Sequence, residues 1–139
     1  MISRELALQL RGAGLVWHPQ SGDRFQLDLP SNVEADVEAD TFTVSDMTIE
    51  PHDYPTGTIL GFNGTTEWAL DSVSIGDAVW LPREDQLREL LRATFRGLRR
   101  LPDAYEVEIE LRGETLRFEH PDASEAYGMA LLEFIERSI

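Results

Sequence analysis

The sequence of 139 residues contains no cysteine and no lysine. Without cysteine the chain cannot form disulfides, bind zinc or iron–sulfur clusters through thiolates, or use a thiol nucleophile. This absence is typical of a cytoplasmic protein, and a cytoplasmic location is our expectation. All twelve basic residues are arginine, for which a GC-rich coding bias is the simplest explanation.

Long apolar runs are also missing. No stretch approaches the roughly 20 apolar residues that cross a bilayer, and Glu5 stands where a secretory signal would place basic residues. We therefore expect neither a membrane span nor export. A chain of 139 residues can bury one sizeable core and is too short for two, which predicts one domain over residues 1–139.

Motifs for catalysis and cofactor binding are absent from the sequence as well. Gly57, Gly61 and Gly64 are spaced as hairpin glycines, and no lysine follows them, which excludes a phosphate-binding P-loop. Serine and histidine do not occur in a nucleophile-elbow context. We therefore expect no cofactor and no enzyme of these classes.

Charge is distributed unevenly along the chain, whose net charge is −14. Residues 32–80 carry ten acidic and no basic side chains, whereas residues 81–139 carry nine arginines against thirteen acids. Nucleic-acid or anionic-lipid binding needs a cationic surface, so we expect neither partner. Residues 32–40 include a repeated Val-Glu-Ala-Asp tetrad, and this self-repelling tract predicts a mobile acidic loop.

Three helices are predicted from capping residues and apolar spacing. The first spans residues 3–11 with Ser3 as its N-cap. The second begins at Pro82 and continues through Leu98, because apolar side chains recur at helical steps at positions 87, 90, 91, 95 and 98. The third runs from Asp122 to the C-terminus, with Glu125 placed for a capping box.

Strands are predicted by alternation and turn residues at 15–17, 24–29, 41–44, 47–50, 59–62, 67–70, 105–111 and 114–120. Asn63-Gly64 predicts a tight hairpin between 59–62 and 67–70. A two-residue turn at Arg112-Gly113 would place Ile109 opposite Leu116. Hairpins of this kind favour an antiparallel sheet with about three helices packed on it, an α+β fold.

One acidic segment offers a candidate metal site, formed by Asp46, Glu50, His52 and Asp53. Carboxylates combined with an imidazole suit a hard or borderline divalent cation. The alternative is a set of solvated carboxylates, with His52 an ordinary turn residue.

An arginine-rich segment offers a candidate partner-binding surface. Arg88, Arg92, Arg96 and Arg99 would follow one face of the second predicted helix, where they could dock an acidic or phosphorylated partner. The alternative is a solvated face whose charges are neutralised by the protein's own acids.

Two further side-chain patterns bear on function. Trp68, beside the predicted Asn63-Gly64 turn, could present an aromatic ring to a partner, although tryptophans in apolar strand patterns are more often core residues. The predicted register of the last hairpin also places Glu106 opposite Glu119, a like-charge pair that costs stability unless arginine or a ligand relieves it.

Three segments, 62–73, 80–87 and 125–128, resemble a group of small uncharacterised bacterial proteins. They read Phe-Asn-Gly-Thr-Thr-Glu-Trp-Ala-Leu-Asp-Ser-Val, Trp-Leu-Pro-Arg-Glu-Asp-Gln-Leu and Glu-Ala-Tyr-Gly. Some of those proteins carry the label pilus assembly protein. The resemblance implies no activity or site residue, and the P-loop of the pilus-assembly ATPases is absent.

Two hypotheses on function remain. The first is a non-enzymatic interaction or accessory module that binds a protein of opposite charge, with a homodimer as a further reading. The second is a small metal-assisted enzyme that uses the Asp46, Glu50, His52 and Asp53 cluster.

Overall fold

The structure, a computed structural model, describes residues 1–28, 40–45, 49–62 and 72–138. Within these ranges lie three helices, α1 (Arg4–Ala13), α2 (Glu84–Leu91) and α3 (Ala123–Arg137). The strands are β1 (Arg24–Leu27), β2 (Phe42–Thr43), β3 (Ile49–Tyr54), β4 (Gly57–Phe62), β5 (Ser72–Ser74), β6 (Ala78–Leu81), β7 (Phe95–Arg100), β8 (Tyr105–Leu111) and β9 (Glu114–His120). They form three sheets, ordered β2-β1-β6, β3-β4-β5 and β7-β8-β9. The predicted α+β class, with antiparallel hairpins and three helices, is confirmed.

Contacts divide the chain into two compact units. The first comprises Met1–Val16 with Leu81–Ile139, and the second comprises Trp17–Trp80. The single domain over residues 1–139 stays a prediction. None of the helices in the described ranges combines the length and the apolar character that a membrane crossing needs.

Helix α1 of the first unit forms as the sequence predicts. The Ser3 hydroxyl accepts a hydrogen bond from the Leu6 amide, which satisfies one of the free N–H groups at the helix start. Gly14 ends the helix with φ 115°, a left-handed conformation that favours glycine. The face that contains Leu6 and Leu10 is buried.

Helix α3 contacts α1, α2, β8 and β9 and therefore organises the first unit. Its predicted N-cap is confirmed, because Asp122 Oδ1 accepts from the Ser124 amide at 2.8 Å. Glu125 does not close a capping box on its own helix. Its carboxylate accepts from the amide and the hydroxyl of Ser3, and so ties α3 to the first turn of α1.

The β8–β9 hairpin has the predicted register. Ile109 lies opposite Leu116 and Glu106 lies opposite Glu119. Both turn residues have positive φ, 50° at Arg112 and 81° at Gly113. A type I′ turn requires positive φ at both positions, and its twist matches the twist of the two strands it joins. The alternation also decides burial, because Val107 and Ile109 face the core.

The long helix predicted from Pro82 through Leu98 is wrong beyond Leu91. Arg92 leaves the helix with φ 54°, Arg92–Thr94 form a 3-10 turn, and β7 pairs with β8. A β-bulge explains the misleading pattern. Phe95 lies opposite Ile109 and Leu98 opposite Val107, so one extra residue lets side chains three positions apart share a strand face. Gly97 also disfavours a helix.

The second unit has an aromatic core. Trp17 lies 5.4 Å from Phe25 and 6.3 Å from Trp80 between ring centroids. The predicted strand at 15–17 is wrong, since these residues have no strand pairing and Trp17 instead fills the core. Its indole Nε1 donates to Asp23 Oδ2 at 3.0 Å.

The hairpins of the second unit agree with the sequence in part. Strands β3 and β4 pair around a turn at Pro55-Thr56, with Tyr54 opposite Gly57. Strand β4 pairs with β5, and Leu60 lies opposite Val73. A two-residue turn at Asn63-Gly64 would have required a different register. The predicted strand at 67–70 and most of the acidic loop at 32–40 lie outside the described residues.

Candidate functional site

The predicted arginine stripe does not lie on one helix. Arg88 is on α2, Arg92 is in the 3-10 turn, and Arg96 and Arg99 are on β7. The prediction of a common helical face is wrong because the helix ends before the bulged strand begins. Arg88 also differs from the other three arginines in its contacts. A hydrogen bond with the Tyr127 side chain raises the pKa of the Arg88 guanidinium.

Strand β7 carries Arg96, Arg99 and Arg100, and it lies at the edge of its sheet. Among the residues that the structure describes, the sheet order β7-β8-β9 leaves one side of β7 without a neighbouring strand. We call residues 92–100 the arginine edge; they contain Arg92, Arg96, Arg99 and Arg100 and no acidic residue. One third of the arginines of the chain therefore lie within nine residues.

Acidic residues of β8 neutralise part of the arginine edge. Arg96 Nε lies 3.2 Å from Glu110 Oε2, and Arg99 Nη2 lies 3.2 Å from Glu106 Oε1. Within the described ranges, Arg92 and Arg100 form no ion pair, and both are exposed. The arginine edge thus combines internally paired charges with charges open to a partner.

A depression next to β7 surrounds the carboxylate of Glu106. The Glu106 side chain is only 7% exposed, and Arg117 Nε lies 3.9 Å from the same Oε1 that Arg99 contacts. Glu119 lies opposite Glu106 as predicted, and the two arginines supply the relief that this like-charge pair needs. The depression has a volume of about 270 Å³ and is lined by Gly97, Leu98, Arg99, Glu106, Glu108 and Arg117.

Removing both arginines around Glu106 is expected to destabilise the first unit. In Arg99→Ala/Arg117→Ala a nearly buried carboxylate would lose both countercharges, at a cost of about 2 kcal/mol in the free energy of unfolding. Adding Glu106→Gln should recover most of the loss, because a neutral amide costs less to bury. Urea denaturation followed by circular dichroism measures these differences.

The matched control is Arg112→Ala/Arg137→Ala, which changes the β8–β9 turn and the end of α3 beside it. Arg137 also contacts two carboxylates, Glu114 at 3.0 Å and Glu133 at 2.6 Å, but these side chains are 60% and 35% exposed, against 7% for Glu106. Exposed pairs contribute little, so the control should change stability by about 0.5 kcal/mol or less. Equal losses in both double variants would contradict the special role of Glu106.

The candidate metal residues do not converge within the described part of β3. Successive strand residues point to opposite faces, so Glu50 and His52 share one face and Asp53 takes the other. Asp53 Oδ1 accepts from the Thr58 hydroxyl at 2.8 Å. The His52 ring covers Gly61, whose added Cβ would lie 3.2 Å from it. This cross-strand packing gives His52 a structural role.

Two candidate residues, Asp46 and Trp68, lie outside the described residues. The part of the chain that the structure describes contains no group of three or more histidine or carboxylate side chains arranged to hold a metal ion. The metal site therefore stays a prediction, as does the role of Trp68.

The sequence patterns included Arg100 among the clustered arginines but missed the contribution of Leu98 and Arg117 to this surface. The signal for Arg117 was present, since the predicted register placed it opposite Glu108 and diagonal to Glu106. Arg100 and Leu98 could be placed only by knowing that β7 is a strand.

Comparison with known proteins gives no relative. No protein-family model, curated protein or solved structure matches this chain. The resemblance to the small bacterial proteins stays a prediction, and the function has to be argued from the site alone.

Proposed function

We propose that this protein is a non-enzymatic interaction module that binds an acidic protein partner on the arginine edge. One observation carries the proposal: an edge strand and the 3-10 turn before it hold four arginines without an intervening acid, in a chain of net charge −14. A concentrated positive surface on an acidic protein attracts negative partners and steers their approach.

The chemistry of the arginine edge supports a protein partner. Guanidinium groups present several N–H donors in a plane that matches a carboxylate, and arginine is enriched at protein interfaces. Leu98 lies among them and keeps 39% of its surface exposed, which adds an apolar contact. Arg92 and Arg100, which form no ion pair within the described ranges, would contact the partner first.

The other hypotheses receive less support from the structure. A homodimer that pairs two copies of this edge would bring four arginines against four, which is unfavourable. A metal-assisted enzyme has no supporting geometry among the described residues. A cytoplasmic location, based on the composition, remains part of the proposal.

The proposal is tested by exchanging charge on the arginine edge. The full-length chain is tagged, chemically cross-linked in its host and purified, and the recovered proteins are identified by mass spectrometry. Arg99→Glu/Arg100→Glu should reduce recovery of an acidic partner at least tenfold, and raised salt should do the same, because the contact is largely electrostatic.

Arg112→Glu/Arg137→Glu is the matched control, since it changes the net charge equally but lies at the β8–β9 turn and the end of α3. The control should retain the partner. Circular dichroism checks that the variants are folded, and Arg92→Glu/Arg100→Glu, which leaves the Arg99–Glu106 pair intact, repeats the test. If every recovered protein is lost equally from both variants, or from neither, the arginine edge is not the binding surface and the proposal fails.

A further inference from the structure

We propose that the acidic partner binds as an extended strand that pairs with β7 and extends the β7-β8-β9 sheet to four strands. This inference rests on the proposed function and adds to it the conformation and sequence class of the partner. Strand addition to an exposed sheet edge is a known mode of peptide recognition, in which backbone hydrogen bonds supply affinity and side chains supply specificity.

In the part of the chain that the structure describes, the backbone of β7 is open to a further strand over its second half. An edge strand directs alternate N–H and C=O groups away from its neighbour. The guanidinium of Arg96 donates to the carbonyls of Ala93 and Phe95, and so occupies the bulged beginning of the strand. In the described ranges, no backbone hydrogen bond joins Gly97–Arg100 to a group outside the sheet. An incoming strand would therefore pair with these four residues.

The register of β7 and β8 defines which side chains the incoming strand would meet. Leu98 lies opposite Val107, so it points to the face that carries the buried core. Arg99 lies opposite Glu106 on the other face, and Arg100 lies opposite Tyr105 on the first. A complementary strand would place an apolar residue beside Leu98 and two consecutive acids beside Arg99 and Arg100.

The arginines also select against other strands. Charged side chains and bulges on edge strands prevent pairing between copies of a protein. Here the charge has a single sign, so it repels a second β7 and attracts an acidic strand.

A short designed peptide tests the inference directly. The probe is fluorescein-labelled Ser-Thr-Val-Glu-Glu-Val-Thr-Ser, whose central four residues read the same in both directions and so suit parallel or antiparallel pairing. Binding to the full-length chain is measured by fluorescence anisotropy at low salt. Exchanging both glutamates for lysine should abolish binding, and Arg99→Glu/Arg100→Glu should weaken it at least tenfold, while Arg112→Glu/Arg137→Glu should not.

Backbone pairing is separated from simple charge attraction by a peptide of the same sequence with N-methylated central residues. This peptide keeps its charge but loses its donors, and it should bind at least tenfold more weakly. Hydrogen exchange should show new protection at alternate amides within Gly97–Arg100 when the unmodified peptide is bound. Equal binding of the two peptides, or protection elsewhere only, overturns strand addition.

The two proposals fail in different ways. If the peptide does not bind but a cross-linked partner still depends on Arg99 and Arg100, strand addition is wrong and the interaction function stands. If an oligonucleotide of equal charge binds the same edge more tightly than the peptide, an acidic strand is not the preferred ligand and the inference falls.

Discussion

Gly128→Val is expected to lower the free energy of unfolding of the first unit by about 3 kcal/mol, because it overpacks a tight contact between two helices. Gly128 lies on α3 where it meets α1. A Cβ added at this position would lie 2.5 Å from Leu6 Cδ2 and 3.3 Å from Leu6 Cγ. Real Cβ atoms do not approach other atoms so closely, so one of the helices or the Leu6 side chain would have to move.

Leu6 cannot move without further cost. It is only 5% exposed and belongs to the buried face of α1, where close packing leaves little room for another rotamer. Valine adds two further methyl groups and a branched Cβ to this overlap. Gly128→Ala should show a smaller loss, because the helix propensity of alanine, worth about 1 kcal/mol, offsets part of the clash.

Gly12→Ala is the matched control for Gly128→Ala. Gly12 also lies in a helix, α1, but its added Cβ would meet nothing within 4 Å. The control should therefore stabilise the chain by up to about 1 kcal/mol. If both alanine variants are stabilised, the close approach of α1 and α3 at Gly128 does not constrain the sequence.

Two spectroscopic signals separate the compact units in this measurement. All three tryptophans lie between residues 17 and 80, and the helices of the described ranges lie in the other unit. Tryptophan fluorescence thus reports on the second unit and far-ultraviolet circular dichroism chiefly on the first. Coincident transitions that shift together in Gly128→Val would confirm the predicted single domain, and a shift of the circular dichroism transition alone would contradict it.

Asp23→Ala is expected to have a comparable effect in the second unit, a loss of about 3 kcal/mol in the free energy of unfolding. Asp23 is 3% exposed, and its Oδ2 accepts from Trp17 Nε1 and from the Gln20 amide, both at 3.0 Å. Hydrogen bonds to a charged acceptor contribute about 1.5–3 kcal/mol each. Alanine would leave the buried indole N–H without its acceptor.

Asp53→Ala is the control for this prediction. Its carboxylate also accepts a side-chain hydrogen bond, from Thr58, but both groups are at the surface, where water replaces the lost partner. The free energy of unfolding should change by about 0.5 kcal/mol or less. The fluorescence transition in urea should move to lower denaturant in Asp23→Ala only, and an unchanged midpoint there would contradict the role given to Asp23.

Much of the first unit could be predicted from local sequence because its elements carry redundant signals. In α1 the Ser3 cap, the apolar face and Gly14 all indicate the same helix. In the β8–β9 hairpin the alternation of side chains and the Arg112-Gly113 turn specify one register independently. Where two local signals favour the same element, tertiary contacts stabilise that element and are not needed to choose between alternatives.

Predictions that depended on one local signal, or on a pattern that fits two structures, were wrong. The apolar spacing at Phe95 and Leu98 fits a helix and a bulged strand equally well, and only the presence of β8 beside it selects the strand. The Asn63-Gly64 dipeptide favours a tight turn, but β4 instead takes the register that pairs Leu60 with Val73, two buried apolar side chains. The run at 15–17 resembled a strand because it ends in Trp17, whose apolar ring belongs to the core.

For the candidate site, the sequence by itself determined that arginines are concentrated between residues 83 and 100 and that the chain around them is acidic. It could not determine their arrangement, because a face of a helix and the edge of a sheet present the same residues in different directions. Only the tertiary structure decided that Arg99 neutralises the nearly buried Glu106, since β8 supplies the acids on one side of β7. Among the described residues no strand covers the other side of β7, and Arg100 forms no ion pair.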